Sequence, residues 1–315
     1  MLADYEVGSA VHSKEPLAIV TRSDDVQFSD FVNWVLQSIM AAEELRDSTG
    51  SIADLPTHAY FGDRHELMFH DAVAVVSDYG ALYLRHLEPY YPRSDVNRIN
   101  VNTGAMFALP LGNLSPSMLP TVSGGTLSVI RERGYLKCGI SNLAIFAALD
   151  PVKNEWTGLD VDFCKALSAA IFDGAVYVRY DVLSPSERFL SLHQGEVDVL
   201  ARETTYTLER DVQEPSTGSG FTFSPPNFFD SIRFAGIPEF VACAELLDYE
   251  SDSCRDLVTC VTQGTTQHQI LKSSLPDKNI RLSSETSATL EDFVEGRCNT
   301  MFGKYSCRER RGENE

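Results

Sequence analysis

Cysteine is missing from the first 137 of the 315 residues; all seven fall later, as Cys138, Cys164, Cys243, Cys254, Cys260, Cys298 and Cys307. No CxxC or Cys/His spacing suits zinc and the seven histidines are scattered, so no metal site is expected. Basic residues are few, 26 Lys and Arg against 45 Asp and Glu, for a net charge of −19. That deficit excludes a nucleic-acid or anionic-membrane surface, both of which need clustered Lys and Arg. No apolar run reaches the roughly 18 residues of a membrane helix, so no direct membrane insertion is expected. The opening MLADYEVGSA carries Asp4 and Glu6 and lacks the basic and apolar regions of a secretory signal peptide. Nucleophile elbow, Walker loop and internal repeat are also absent. What is present is 43% apolar, 10% aromatic and 23% charged, the make-up of a soluble acidic globular chain long enough for one large domain or two ordinary ones.

The chain has two textures. SKEPLAIVTR (13–22) reads as a strand, and Ser23-Asp24-Asp25 supplies an N-cap and first-turn acids. Phe28, Phe31, Val32, Val35, Leu36, Ile39 and Met40 then recur at helical spacing. A second helix is expected over Met68–His86, followed by a loop-rich 89–104 and by PLGNLSPSMLPTVSGG (110–125), which reads as a linker. After Gly125 short β-rich runs alternate with helical patterns. LKCGIS (136–141), AVYVRYDV (175–182), VDVLAR (197–202), FVACAE (240–245), LVTCVT (257–262) and a segment near Thr300 read as strands. Helices are expected at 160–171, 265–274 and 288–294. Ser184-Pro185-Ser186-Glu187 is a capping box opening another, through His193. This alternation predicts an α/β fold with largely parallel sheets. The thiols are open between buried free groups and disulfides, and an odd count leaves at least one without an intrachain partner.

Specific motifs lie in the second texture: TLSVIRERGYLKCGIS (126–141), EWTGLDVDFCKAL (155–167), LSPSERFLSLHQGEVDVLARETTYTLERD (183–211), CVTQGTT (260–266) and EGRC (295–298). In this order they resemble the first two-thirds of a bacterial ABC-transporter substrate-binding protein for polar or general L-amino acids, solute-binding protein family 3. The family signature stands intact as Gly158-Leu159-Asp160-Val161-Asp162-Phe163; Ser168 departs from a small apolar preference. Residues 13–110 resemble the family's C-terminal third, through SKEPLAIVTRSDDVQFSDFVNWVLQSIMAAEEL (13–45), SDYGALYLRHLEP (77–89) and the ending at Asn100, Gly104 and Pro110.

The resemblance implies a type II periplasmic-binding-protein fold, two α/β lobes with a hinge and an interlobe cleft. The family's order is inverted, its tail first and its head after. Residues 1–110 would complete lobe 1, 111–125 would be the linker, 126–212 would begin lobe 1, 213–307 would form lobe 2, and 308–315 would be a tail. Two arrangements fit: a circular permutant, or a truncated slice of a tandem array.

By resemblance, Arg210 matches the carboxylate-binding arginine, whose planar fork meets a carboxylate with two bonds, and Thr205 the hydroxyl that assists it. The plain alternative for Arg210 is a surface salt bridge. Thr265 and Thr266 open a helix whose N–H groups suit an anion, the plain alternative being a routine N-cap. Phe146 and Trp156 match aromatics near the cleft mouth, positions that are as readily core. Two residues break the pattern. Glu203 replaces Asn or Ser beside the ligand, and Lys304 replaces the Asp that pairs with the ligand ammonium. Three consequences are open: a Glu203–Lys304 bridge, an extra carboxylate on Lys304, or lost ligand selection.

The same resemblance pairs Cys138 with Cys164 and Cys260 with Cys298, leaving Cys243, Cys254 and Cys307 unassigned. Disulfides imply a periplasmic or extracellular location, and a truncated N-terminus would reconcile that with the missing signal peptide. The expected function is non-catalytic capture of an amino acid or related carboxylate, a small-molecule ligand, for an ABC transporter membrane subunit, with no cofactor. The alternatives are a prephenate-type dehydratase on the same fold, and a ligand-sensing module of a larger receptor.

Overall fold

The computed structural model describes residues 5–47, 61, 65–99 and 125–304, which divide between two compact units. Leu17–Leu183 and Phe189–Phe228 form the larger; Met1–Pro16, Ser184–Arg188 and Phe229–Glu315 form the smaller, as far as they are described. Linker residues 111–124, Cys307 and the tail 308–315 lie outside the described residues.

In the larger unit, strand β2 (Ser13–Arg22, entering at Leu17) runs antiparallel to β7 (Val199–Thr205). Strand β7 is parallel to β3 (Leu136–Ile140), and β3 is parallel to β6 (Val178–Val182). The edge strand β8 (Phe221–Phe223) lies antiparallel on β2. The sheet is therefore mixed rather than largely parallel. Helix α1 (Val26–Asp47) buries all seven apolar residues of its predicted face. Its start is capped by Asp25, whose Oδ1 accepts the Phe28 N–H at 3.0 Å. The other oxygen accepts the Thr126 N–H, at 2.6 Å, and so also holds the first residue of α4 (Thr126–Arg133).

The helix expected over 68–86 is two: α2 (Met68–Val76) and α3 (Tyr79–His86). Ser77 takes a left-handed φ of 76°, and Asp78 starts a new helix by accepting the Ala81 N–H at 3.0 Å. Both α2 and α3 pack against α5 (Leu159–Ile171), so segments far apart in sequence share one core.

The glycine that opens the family signature has a steric reason. Gly158 has a φ of 136°, and a Cβ there would lie 2.1 Å from the Phe146 carbonyl oxygen. Ser168, the one departure, is fully buried, and its Oγ accepts the Tyr177 N–H at 2.8 Å. The hydroxyl closes the turn from α5 towards β6, which an apolar residue would leave unpaired.

In the smaller unit the central strand β10 (Thr259–Thr262) is parallel to β11 (Ile280–Ser283) and to β12 (Thr300–Lys304). Strand β9 (Phe228–Gly236) is antiparallel to β12 and carries the short β1 (Glu6–Val7). FVACAE is not a strand; it forms most of α8 (Pro238–Glu245), with Pro238 in the first turn and Val241 and Ala244 buried. A short apolar run suits a strand or a buried helix equally, and the proline decides. Ser184 and Glu187 do form the capping box: each backbone N–H donates to the other's side chain, at 3.3 and 3.2 Å. The regular turns of α6 (Arg188–His193) follow it, from Phe189 on as part of the larger unit. Helices α9 (Thr266–Ser274) and α10 (Thr286–Val294) match expectation.

Three disulfides are present among the described residues. Cys138–Cys164 ties β3 to α5, Cys260–Cys298 ties β10 to the turn before β12, and Cys243–Cys254 staples the end of α8. The last pair was unassigned by the resemblance. Among the described residues no helix is long and apolar enough to cross a membrane.

Candidate functional site

Strand order locates the chemistry. In the larger unit the chain makes β3 first, then β6 on one side of it and β7 on the other. The direction of winding reverses between β3 and β7, and the carboxyl ends flanking such a reversal are where α/β sheets take ligands. Ser141 follows β3 there; Glu203 and Thr205 end β7, and Arg210 sits on the short helix α7 just after it (Leu208–Val212).

Arg210 is buried, 4% exposed. Its Nη1 donates to the Thr205 carbonyl at 2.8 Å, and its guanidinium carbon lies 5.4 Å from the Phe189 ring centroid. The Thr207 hydroxyl caps α7 by accepting the Arg210 N–H. The carbonyl and the ring thus fix the plane of the guanidinium, a group whose planar geometry suits a carboxylate. This is not an exposed salt-bridge arginine. Thr205 is 4% exposed and pairs with Leu17 of β2, so its backbone both builds the sheet and orients Arg210.

Glu203 is half-buried and has a left-handed φ of 43°. Its Oε1 accepts the Ser141 Oγ–H at 2.7 Å, across the reversal point. Phe146 is 2% exposed and meets the Phe228 ring at 5.7 Å. It is part of the core, as is common for aromatics in such motifs. Trp156 is half-buried against Tyr180.

Asp162 of the signature is architectural. Asp162 is buried and accepts bonds from His86 Nε2 at 2.7 Å, Lys165 Nζ at 2.9 Å and Arg85 Nη1 at 3.0 Å. Burial opposes its ionisation, but the His86 and Lys165 bonds outweigh it and hold the carboxyl below the usual range. It clasps α3 to α5.

The smaller unit repeats the topology with β10 central, so its reversal falls between β10 and β12. Thr265, Thr266 and Lys304 all lie at that end. Thr265 is an N-cap: its Oγ1 accepts the His268 N–H at 3.2 Å and donates to the Thr262 carbonyl at 2.6 Å. Thr266 donates its hydroxyl at 2.8 Å to Oε2 of Glu15, a fully buried acid that sequence reasoning did not single out. Both hydroxyls are thus engaged within the unit. Lys304 is half-buried and ends β12 opposite Ile232. Among the described residues no group of three or more His, Cys, Asp or Glu is arranged to hold a metal ion.

Comparison with known proteins bears on the larger unit above all. Residues 136–227 match the model of the bacterial extracellular solute-binding proteins, family 3. The chain is 33% identical over 195 residues to the general L-amino acid-binding periplasmic protein AapJ of Rhizobium johnstonii, covering 59% of this chain and 54% of the relative. It is 31% identical over 197 residues to the putative amino-acid ABC transporter-binding protein YhdW of Escherichia coli K12, covering 58% and 52%. A solved periplasmic binding protein from Brucella ovis, with glutathione bound, is 30% identical with a TM-score of 0.46, over 59% of this chain and 56% of that one. The chain spans about half the length of the curated relatives it matches. Over residues 136–227, the segment that carries β3, β7 and Arg210, the chain is similar to the bacterial extracellular solute-binding proteins, family 3.

Proposed function

We propose that this chain is a non-catalytic binding protein that captures an amino acid or a related carboxylate, with Arg210 taking the α-carboxylate. The observation that carries this is the buried Arg210 guanidinium, fixed by the Thr205 carbonyl at the carboxyl end of β7. A cation oriented in advance loses little freedom when an anion arrives, which favours selective binding over a casual contact. Similarity to AapJ, a general L-amino acid-binding protein, and to YhdW, a putative amino-acid ABC transporter-binding protein, supports it. Delivery to an ABC transporter membrane subunit, and a periplasmic or extracellular location, belong to the same proposal; three disulfides support an oxidising compartment.

The proposal includes the chain's order: the first piece of the chain, from Leu17 on, completes the unit that resumes at 126, as in a circular permutant. Strand β2 pairs with β7, α2 and α3 pack on α5, and one carboxylate, Asp25, caps α1 and α4 together. Such joints between the two pieces support a single folding unit.

The test is a thermal melt of the oxidised chain with a panel of L-amino acids, dicarboxylates and keto acids. A ligand at about 100 times its dissociation constant stabilises by roughly 2.7 kcal/mol, enough to raise Tm by about 2 °C or more. We expect a shift with one ligand class and its loss in Arg210→Met. No shift with any member of the panel, or an equal shift in Arg210→Met, would overturn the proposal.

A further inference from the structure

Strand β6 closes the larger unit's sheet on one side, and among the described residues no strand pairs with its far edge. Which backbone groups face that edge follows from the ladder to β3. The Leu136 N–H donates to the Tyr177 carbonyl and the Leu183 N–H to the Ile140 carbonyl, so the odd-numbered residues of β6 bond inwards. Backbone groups alternate sides along a strand, which turns the N–H and C=O groups of Val178, Tyr180 and Val182 outwards. Unpaired edges are commonly blunted by charge. The charges here are of opposite sign and two residues apart: Arg179 Nε and Nη2 donate to Asp181 Oδ2 at 3.0 and 2.7 Å. The opposite face carries Val178, Tyr180 and Val182, and Val182 is 52% exposed.

We propose that β6 pairs antiparallel with β6 of a second copy of this chain, about a two-fold axis at Tyr180. A contact of this symmetry sets each residue against the one that mirrors it. Val178 meets Val182 of the second copy, Tyr180 meets its own counterpart, and these outward-facing residues exchange about six N–H···O bonds. Between them Arg179 meets Asp181 of the second copy at a position without backbone bonds, where facing side chains come closest. The charges also exclude the neighbouring registers. Sliding one copy by two residues either way sets Arg179 against Arg179 or Asp181 against Asp181, and like charges directly opposite are unfavourable. The strand is thus complementary to itself in one register. The inference is independent of the amino-acid reading, because β3 lies between β6 and β7, the strand that leads to Arg210.

The experiment is sedimentation equilibrium of the oxidised chain over a concentration series, each variant first shown to melt cooperatively. Wild type should follow a monomer–dimer equilibrium. Val182→Pro removes an outward N–H, which an edge strand tolerates, and should weaken the dimer by at least about tenfold. Arg179→Asp and Asp181→Arg each set like charges face to face, and each alone should stay monomeric. Mixed in equal amounts the two should associate, since every facing pair is then opposite in sign. Hydrogen exchange reads the register: the amides of Val178, Tyr180 and Val182 should slow as concentration rises, whereas that of Arg179, already turned towards β3, should not. Should Val182→Pro fail to fold, the mixing experiment decides. A wild type that is monomeric throughout would overturn the inference. So would a dimer that Val182→Pro leaves intact, a charge variant that dimerises alone, or a mixture that stays monomeric.

Discussion

The larger and smaller units share a strand order, β6-β3-β7-β2 in one and β11-β10-β12-β9 in the other, but end their strands differently. In both, the central strand is made first, its neighbours follow on opposite sides, and an antiparallel strand flanks the third. The third strand of the larger unit is bulged and ends in Glu203 and Thr205. That of the smaller unit, β12, keeps an unbroken register from Thr300 opposite Gly236 to Lys304 opposite Ile232. Topology thus marks the same place in each unit, while local backbone irregularity and side-chain identity decide what chemistry stands there. The smaller unit spends its threonines on capping α9 and on Glu15. The larger unit holds a cation and an acid at its strand ends.

The units also differ in how they are held closed, and the largest expected effect exploits this. Among the described residues the larger unit has one disulfide, spanning 26 residues, whereas the smaller has two, spanning 38 and 11. A loop-entropy estimate gives roughly 3.5 kcal/mol for the first and about 3.9 and 2.8 kcal/mol for the other two. Reduction should therefore destabilise the smaller unit about twice as much. Hydrogen exchange under dithiothreitol should show amides of β10 and β12 losing protection before those of β3 and β7. Loss of protection in the reverse order would break the contrast.

Much of this architecture is legible in the sequence, and the exceptions share a cause. Strand 13–22 and helix 26–47 carry their own periodicity and cap, so local rules suffice. The break at Ser77 interrupts a run whose apolar positions continue on either side, and only the left-handed serine and the Asp78 cap reveal it. Strand β9 alternates buried and half-buried residues from Phe228 to Phe234, but half-buried Phe229 and buried Asp230 reverse the hydrophobic order and hide the period of two in the sequence. In the candidate site, Arg210 and Thr205 are legible through motif position. The bulge at 201–203 is not, because it exists only relative to a strand some 180 residues away. The Cys243–Cys254 pair is local, yet spacing alone cannot choose a partner among seven thiols.

Each unit also gathers bases around one buried acid, and these clusters set the next effect. Asp162 draws its partners from α3 and α5, about 76 residues apart in the chain. Asp292 of the smaller unit takes Arg281, Arg297 and Ser283 from its immediate neighbourhood, and these bonds hold its carboxyl well below the usual range. Removing one partner of a buried pair leaves the others without their counter-charge. Asp162→Asn should cost about 3 kcal/mol, measured by urea denaturation, and Asp292→Asn less. Equal losses would mean that the long-range clasp contributes no more than the local one.

The smallest effect separates the units by pH. In the smaller unit α9 starts on the neutral hydroxyl of Thr265, whereas in the larger one α1 and α4 both start on the Asp25 carboxylate. Burial opposes ionisation of Asp25, but the Thr126 and Phe28 N–H donors more than compensate, and its carboxyl is held below its ordinary value. A group whose pKa is lower folded than unfolded stabilises fully above the unfolded value, about 3.9 for Asp. That contribution fades as pH falls through the folded value. Asp25→Asn keeps one acceptor oxygen, so it should lose one of the two caps and the charge, about 1 kcal/mol at pH 6. The gap between wild type and variant should hold from pH 6 to pH 5 and narrow below about pH 4. Urea midpoints at each pH read it directly. A gap unchanged down to pH 3 would show that the charge of Asp25 adds nothing to its hydrogen bonds. It would also show that the two units start their helices on equivalent caps after all.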